Sequence, residues 1–260
     1  MSARKNARML ECVLVDLNTQ RDFCEENGAC PIKNLAQVVP ALRSILEWAV
    51  RNNVPIISAL DSHRRWELNR EDVAPHCIDG TAGQRKLDFT VLPSHYMVES
   101  DNTLGMPINL FDRHQQVVFR KRTHDLLGNP KADRFLTQLP VAEFILFGNG
   151  IENSIKALAL GLLTRDKRVS IVLDACGYWN ASESDLAVRQ TWAKGAALIT
   201  VEELTRRRLR PRGRCKPYIS RNGRAVGSQR PPTVMSPGIS PAVLPSPSKV
   251  DGSRVGGQPG

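Results

Sequence analysis

The sequence predicts a doubly wound α/β fold, three layers of α/β/α around a six-stranded, mainly parallel sheet, and two observations carry that expectation. Short apolar runs rich in Val, Ile and Leu recur through the first two hundred residues. They lack the polar alternation of a solvent-facing sheet, as strands buried on both faces require. Segments of helical period separate them, and such alternation winds into a parallel sheet through right-handed crossovers. With 260 residues, 41% of them hydrophobic, the chain can bury one large core, and no run approaches the ~18 apolar residues of a membrane span.

In chain order the expected strands cover 12–17, 54–60, 116–119, 143–147, 169–173 and 197–201. The first helix, 35–52, is marked by Val38, Val39, Leu42, Ile45, Leu46 and Val50 at a period near 3.6. Further helical patterns follow at 131–138, 151–165 and 182–194, with a short one at 201–208. Residues 1–9 are basic and expected to be flexible. Glu11 follows Met9 and Leu10 directly, leaving no apolar signal region, so a cytoplasmic location is expected. Six cysteines without CxxC pairing suggest neither a zinc knuckle nor a disulfide framework and read as reduced packing thiols.

The formal charge of +10 is unevenly spread. From Arg206 to Gly260 stand 12 of the 36 Lys and Arg against one of the 26 acids, leaving 24 bases and 25 acids in the body. That segment also holds 9 of 17 prolines and 8 of 18 glycines, too little apolar surface to offset its ordering entropy. The domain expected at 10–205 therefore ends in a basic, Pro/Gly/Ser-rich tail, 206–260, expected to be disordered. Its run Arg206-Arg-Arg-Leu-Arg-Pro-Arg-Gly-Arg214 suits nonspecific contact with a polyanion, or plain solvation.

Ligands of open parallel sheets bind beyond the carboxyl ends of the strands. The residues there are Asp16, Asp61 with His63, Lys121, the turn Gly148 to Ser154, and Asp174. A buried strand-end carboxylate needs a partner, and Lys121 is the natural one for Asp16, in either a structural ion pair or a reactive one. Ser154, after two glycines at a helix start, reads as a cap, a packing residue or a nucleophile. Arg64, Arg65, Arg70 and Arg85 suit carboxylate binding or solvation, and Phe23 and Trp66 suit stacking on a ring or packing.

A series of ordered blocks resembles the isochorismatase-like (cysteine hydrolase) superfamily, which includes nicotinamidases, over nearly all of 10–205. Val15-Asp16-Leu-Asn-Thr-Gln-Arg-Asp22-Phe23 looks like its VDxQxDF opening with two extra residues. Asp61-Ser62-His63, Pro75-His76-Cys77 through Gly83, and Phe119-Arg-Lys121 resemble its Asp-x-His, HC-x-x-G-T-x-G and lysine-strand segments. Gly148 to Ile155 is similar to the G-x-x-T-[DE]-x-C-V block, with Ser154 where the family carries Cys, and Ala159 to Leu162, Asp174-Ala175 and Gly195-Ala196 follow in order. The resemblance implies a hydrolase of small amides or enol ethers. It assigns Asp16 as acid or base, Lys121 as its partner, Ser154 to the nucleophile's place, and the N–H groups of Gly150 and Ser154 to an oxyanion hole. It further implies a zinc or iron site at Asp61, His63 and His76, a small-molecule substrate near Phe23, Trp66 and Arg64, and a homo-oligomer. Serine in place of cysteine keeps a catalytically silent binding protein, and a hydrolase with a polyanion-binding tail, beside the plain hydrolase.

Overall fold

In the computed structural model, residues 9–67, 74–99, 105–107 and 109–209 are described. Strand-forming runs in them pair into one sheet of seven strands, ordered β3-β4-β2-β1-β5-β6-β7, in which every neighbouring pair is parallel. Six are the expected ones: β1 (Val13–Leu17), β2 (Ile56–Asp61), β4 (Gln116–Lys121), β5 (Phe144–Asn149), β6 (Val169–Gly177) and β7 (Ala197–Ile199). The seventh, β3 (His95–Val98), corrects the expected count of six. It is an edge strand with only Val98 buried, so it lacks the continuous apolar run that marks the others.

Helices cover both faces. On one lie α2 (Leu35–Arg51) and α6 (Val201–Thr205), whose Leu42, Ile45, Leu46 and Leu204 pack with Leu14, Ile56, Ile145 and Phe147. On the other, α3 (Pro130–Gln138) and α4 (Lys156–Leu163) pack Phe135, Leu136, Leu158 and Leu162 against Val13, Val15, Leu17, Ile57 and Phe119. Both faces of β1 are therefore apolar, because Leu14 and its flanking valines point opposite ways and each side finds a core.

Local chemistry sets the helix starts. The Asn129 side chain accepts the N–H groups of Lys131 and Ala132, with Pro130 just inside α3. Asn180 does the same for Ser182 and Glu183 at the start of α5 (Ala181–Ala193), and Thr200 with Glu203 forms a capping box on α6. The helix expected at 151–165 begins instead as a π-helical turn, Ile151–Ile155, before α4. A four-residue helix, α1 (Arg21–Cys24), follows β1. The expectations for 1–8 and for the tail from 210 onward lie outside the described residues.

β1 stands between β2 and β5: the sheet grows through β2 and β4, with β3 added at the edge, on one side and through β5, β6 and β7 on the other. The β1/β5 boundary is the topological switch point, where the two crossovers leave a crevice beyond the strand ends.

Candidate functional site

Two glycines let the chain turn sharply after β5. Gly148 has φ 114°, and a Cβ on it would lie 2.1 Å from the Leu17 carbonyl oxygen; Gly150 has φ 85°, and its Cβ would lie 2.1 Å from Asn153 Oδ1. The π-helical turn that follows brings the buried Ser154 hydroxyl to the β1/β5 crevice. Asn18, at φ 56° just past β1, donates from Nδ2 to Ser154 Oγ at 3.1 Å. Lys121 Nζ stands 3.5 Å from the same oxygen, donates to the Thr123 carbonyl at 3.1 Å and holds the Asp61 carboxylate in an ion pair. Asn18, Lys121 and Ser154 are all essentially inaccessible to solvent.

Asp16 lies elsewhere. Strand alternation puts it on the same face as Leu14, toward α2, and there its carboxylate meets Lys86 Nζ at 2.8 Å, Ser58 Oγ at 3.0 Å and Thr19 Oγ1 at 2.8 Å. Gln116 extends this buried network by donating to Ser58 Oγ at 2.8 Å. The expected Asp16–Lys121 pair is thus corrected to two pairs, Asp16–Lys86 and Asp61–Lys121. The sequence holds the signal for this. Counted back from Gln20, Asp22 and Phe23, the pattern V-D-x-Q-x-D-F fits without insertion and places Leu17 and Asn18 in its first two positions. Asp22 then serves the loops: Oδ2 accepts the Cys77 N–H at 2.6 Å and Oδ1 that of Ala29 at 3.2 Å.

The N–H groups expected to form an oxyanion hole are engaged within the protein. That of Gly150 donates to Gly177 O at 2.9 Å, and that of Ser154 to Asn153 Oδ1 at 2.5 Å. Glu152 braces the turn from behind, its Oε1 accepting the N–H groups of Trp179 at 2.7 Å and Asn180 at 3.1 Å.

Asp61, His63 and His76 come to one side of Lys121, the two imidazoles with centroids 5.3 Å apart. Burial is the main cause that lowers the His63 pKa, which favours the neutral ring. His76 Nδ1 is hydrogen-bonded to Ala74 O at 2.9 Å. Among the described residues no three His, Cys, Asp or Glu side chains converge as a ligand set, and the Asp61 carboxylate already carries the Lys121 ammonium. These residues do not fit a three-ligand zinc or iron site of the kind such donors build.

Of the residues expected near a substrate, Phe23 is buried and packs its ring on His76 at 5.2 Å and Trp179 at 5.1 Å. Trp66 is 68% exposed, with the Arg64 guanidinium over its ring at 5.5 Å. Arg70 lies outside the described residues. Among the buried cysteines, burial disfavours the thiolate: it pushes Cys24 up to about 11 and raises Cys77 and Cys176 as well.

A parallel α/β/α sandwich with its polar cluster at the switch point, built on a strand, a double-glycine turn and a helix, defines the isochorismatase-like class. Residues 12–203 match the model of the isochorismatase domain, and the chain belongs to that family. Among solved structures, a pyrazinamidase of Pyrococcus horikoshii in complex with zinc is similar at 17% identity and TM-score 0.58, covering 73% of this chain and 99% of that one. A nicotinamidase from Bacillus subtilis matches at 18% and 0.57, covering 73% and 100%. An N-carbamoylsarcosine amidase from Thermoplasma acidophilum matches at 18% and 0.55, covering 74% and 98%. At such identities the likeness shows the fold alone. No curated protein sequence matches.

Proposed function

We propose that this chain is a small-molecule-binding member of the isochorismatase family that does not form an acyl-enzyme. One observation carries the reading: the Ser154 hydroxyl is met by an amide and an ammonium, Asn18 and Lys121, with no carboxylate or imidazole hydrogen-bonded to it among the described residues. A serine alcohol becomes a nucleophile only when a base takes its proton. An amide is no base, and an ammonium engaged with Asp61 has no lone pair to accept a proton. Asp16, neutralised by Lys86 on the other face of the sheet, is not available to Ser154. The hydroxyl, the amide and the ammonium offer hydrogen bonds suited to a carbonyl or carboxylate group of a small molecule.

A hydrolytic reading has its own support, in the family and in the unbroken series Asp61, Lys121, Ser154. In it the charge pair would orient water or the serine on an amide or enol ether. A panel of small amides, enol ethers and carboxylic diacids separates the two. Under the binding reading some panel members raise the melting temperature without being consumed. Turnover with a burst of product that Ser154→Ala removes would overturn that reading and establish the hydrolase. Neither reading routes a step through a metal, and metal removal by a chelator is expected to leave ligand binding unchanged.

A further inference from the structure

α5 lies on the same face of the sheet as α3 and α4, and it leads directly into β7, the last strand of the sheet. Its inner side is settled: Ala187 and Thr191 are buried, and Val188 packs on the core of that face. Its outer side is not. At the helical period the stripe opposite Ala187 and Thr191 carries Ser182, Asp185, Leu186, Arg189, Trp192 and Ala193, all exposed, with Leu186 at 48% and Trp192 at 65%. Asp185 and Arg189 stand one turn apart on this stripe, yet neither has an ion-pair partner among the described residues. The helix dipole does not account for their order, since it acts within the first and last turns and both lie between them.

We propose that this stripe is the seam of a symmetric dimer, in which α5 of one chain packs antiparallel on α5 of a second copy, independently of the chemistry at Ser154. The order of the residues argues for a copy of the same chain. Reversed about an axis midway between Asp185 and Arg189, the helix sets each Asp185 against an Arg189, so a single occupant meets both charges. A partner of one charge sign would meet its like at one of the two positions. Leu186 and Trp192 supply the apolar contact, Trp being prominent at the energetic centres of interfaces, while exposed ion pairs add little affinity and mainly fix the register.

The neighbouring strand favours the same occupant. β7 ends the sheet with an open backbone edge, and 195–200, Gly-Ala-Ala-Leu-Ile-Thr, holds neither a charge nor a proline to guard it. A twofold axis that reverses α5 also reverses β7, so the two edges approach antiparallel and are covered together with the helix. A helix of 13 residues spans only about 20 Å. The seam therefore belongs with the small specific interfaces, near about 1,000 Å², and the dimer should dissociate in the micromolar range.

Sedimentation velocity of the full chain over a concentration series tests this. The parent should pass from monomer to dimer as concentration rises. Leu186→Ser/Trp192→Ser should raise the dissociation constant by about thirtyfold or more. Asp185→Lys and Arg189→Glu each put like charges face to face, so each should be monomeric where the parent is a dimer. An equimolar mixture of the two should dimerise, since opposite charges then meet again across the seam. That rescue also separates a lost contact from a lost fold, because an unfolded variant has no surface to restore. A parent that stays monomeric, as it would if the face served a different protein or the tail of its own chain, would overturn the proposal. So would a parent dimer that the variants leave intact, or a mixture that stays monomeric.

Discussion

Asn18 determines what Ser154 can do, because an amide at that point donates where a carboxylate would accept. The consequence can be tested by restoring both groups. In Ser154→Cys alone, the thiol would sit beside Lys121 and the Asn18 amide, both of which favour the thiolate against the burial that opposes it, so its thiolate absorbance should appear at lower pH than that of the buried Cys24. Amide turnover should still be missing, since nothing carries a proton to the leaving amine. Adding Asn18→Asp supplies that carrier, and the double variant should gain hydrolysis of a small amide by about 10² to 10⁴-fold over Ser154→Cys. Equal rates for the two would show that Asn18 is not the deciding residue. Asn18 was legible in the sequence, but only by counting from Gln20 and Asp22. The apolar run before Asp16 pointed the other way, because a strand-end carboxylate looks the same whether it turns toward the crevice or toward Lys86.

At the scale of elements, β1 shows what period-two alternation settles and what it leaves to tertiary structure. The five inner strands were legible because residues packed on both faces are mostly apolar, and the edge strand β7 because its short run Ala197–Ile199 is apolar although not buried. β3 was not, since an edge strand with half-exposed His95 and Tyr96 carries no such run. Lys86 was equally hidden: it comes from a loop, and only the fold sets it over β1, where its stem is buried and its ammonium meets Asp16. That pair should be structural. Lys86→Met should destabilise the protein by about 3–5 kcal/mol, as removing one partner leaves a buried charge uncompensated. Asp16→Asn in addition should recover a large part of the loss, because the uncompensated charge is gone. Urea unfolding of the single and double variants measures both, and a Lys86→Met protein as stable as the parent would show that the pair contributes nothing to stability.

For the molecule as a whole, the buried titratable groups act together to confine stability to a window of pH. The cysteines read from sequence as packing thiols are free and, apart from the half-buried Cys30, buried; Cys215 lies outside the described residues. Burial raises Cys12 to about 12 and Cys24 to about 11, and raises Cys77 and Cys176 as well. A raised folded pKa means that above about pH 8.5 the unfolded chain gives up protons the folded chain keeps, so stability is whole below that point and falls as pH rises. The histidines work from the other side. Burial is the first cause lowering both His63 and His114, so below about pH 6.5 the unfolded chain takes up protons that the folded chain refuses, and stability falls with falling pH. Maximal stability is therefore expected between about pH 6.5 and 8.5, with the alkaline limb the steeper, since each group that titrates only on unfolding adds about 1.4 kcal/mol per pH unit. Urea midpoints from pH 5.5 to 10 test this. Cys77→Ala, which removes a fully buried thiol, should flatten the alkaline limb even if it lowers stability at neutral pH, whereas His63→Gln should flatten only the acid limb. An alkaline limb with the same slope in the parent and in Cys77→Ala would show that the buried thiols do not set it.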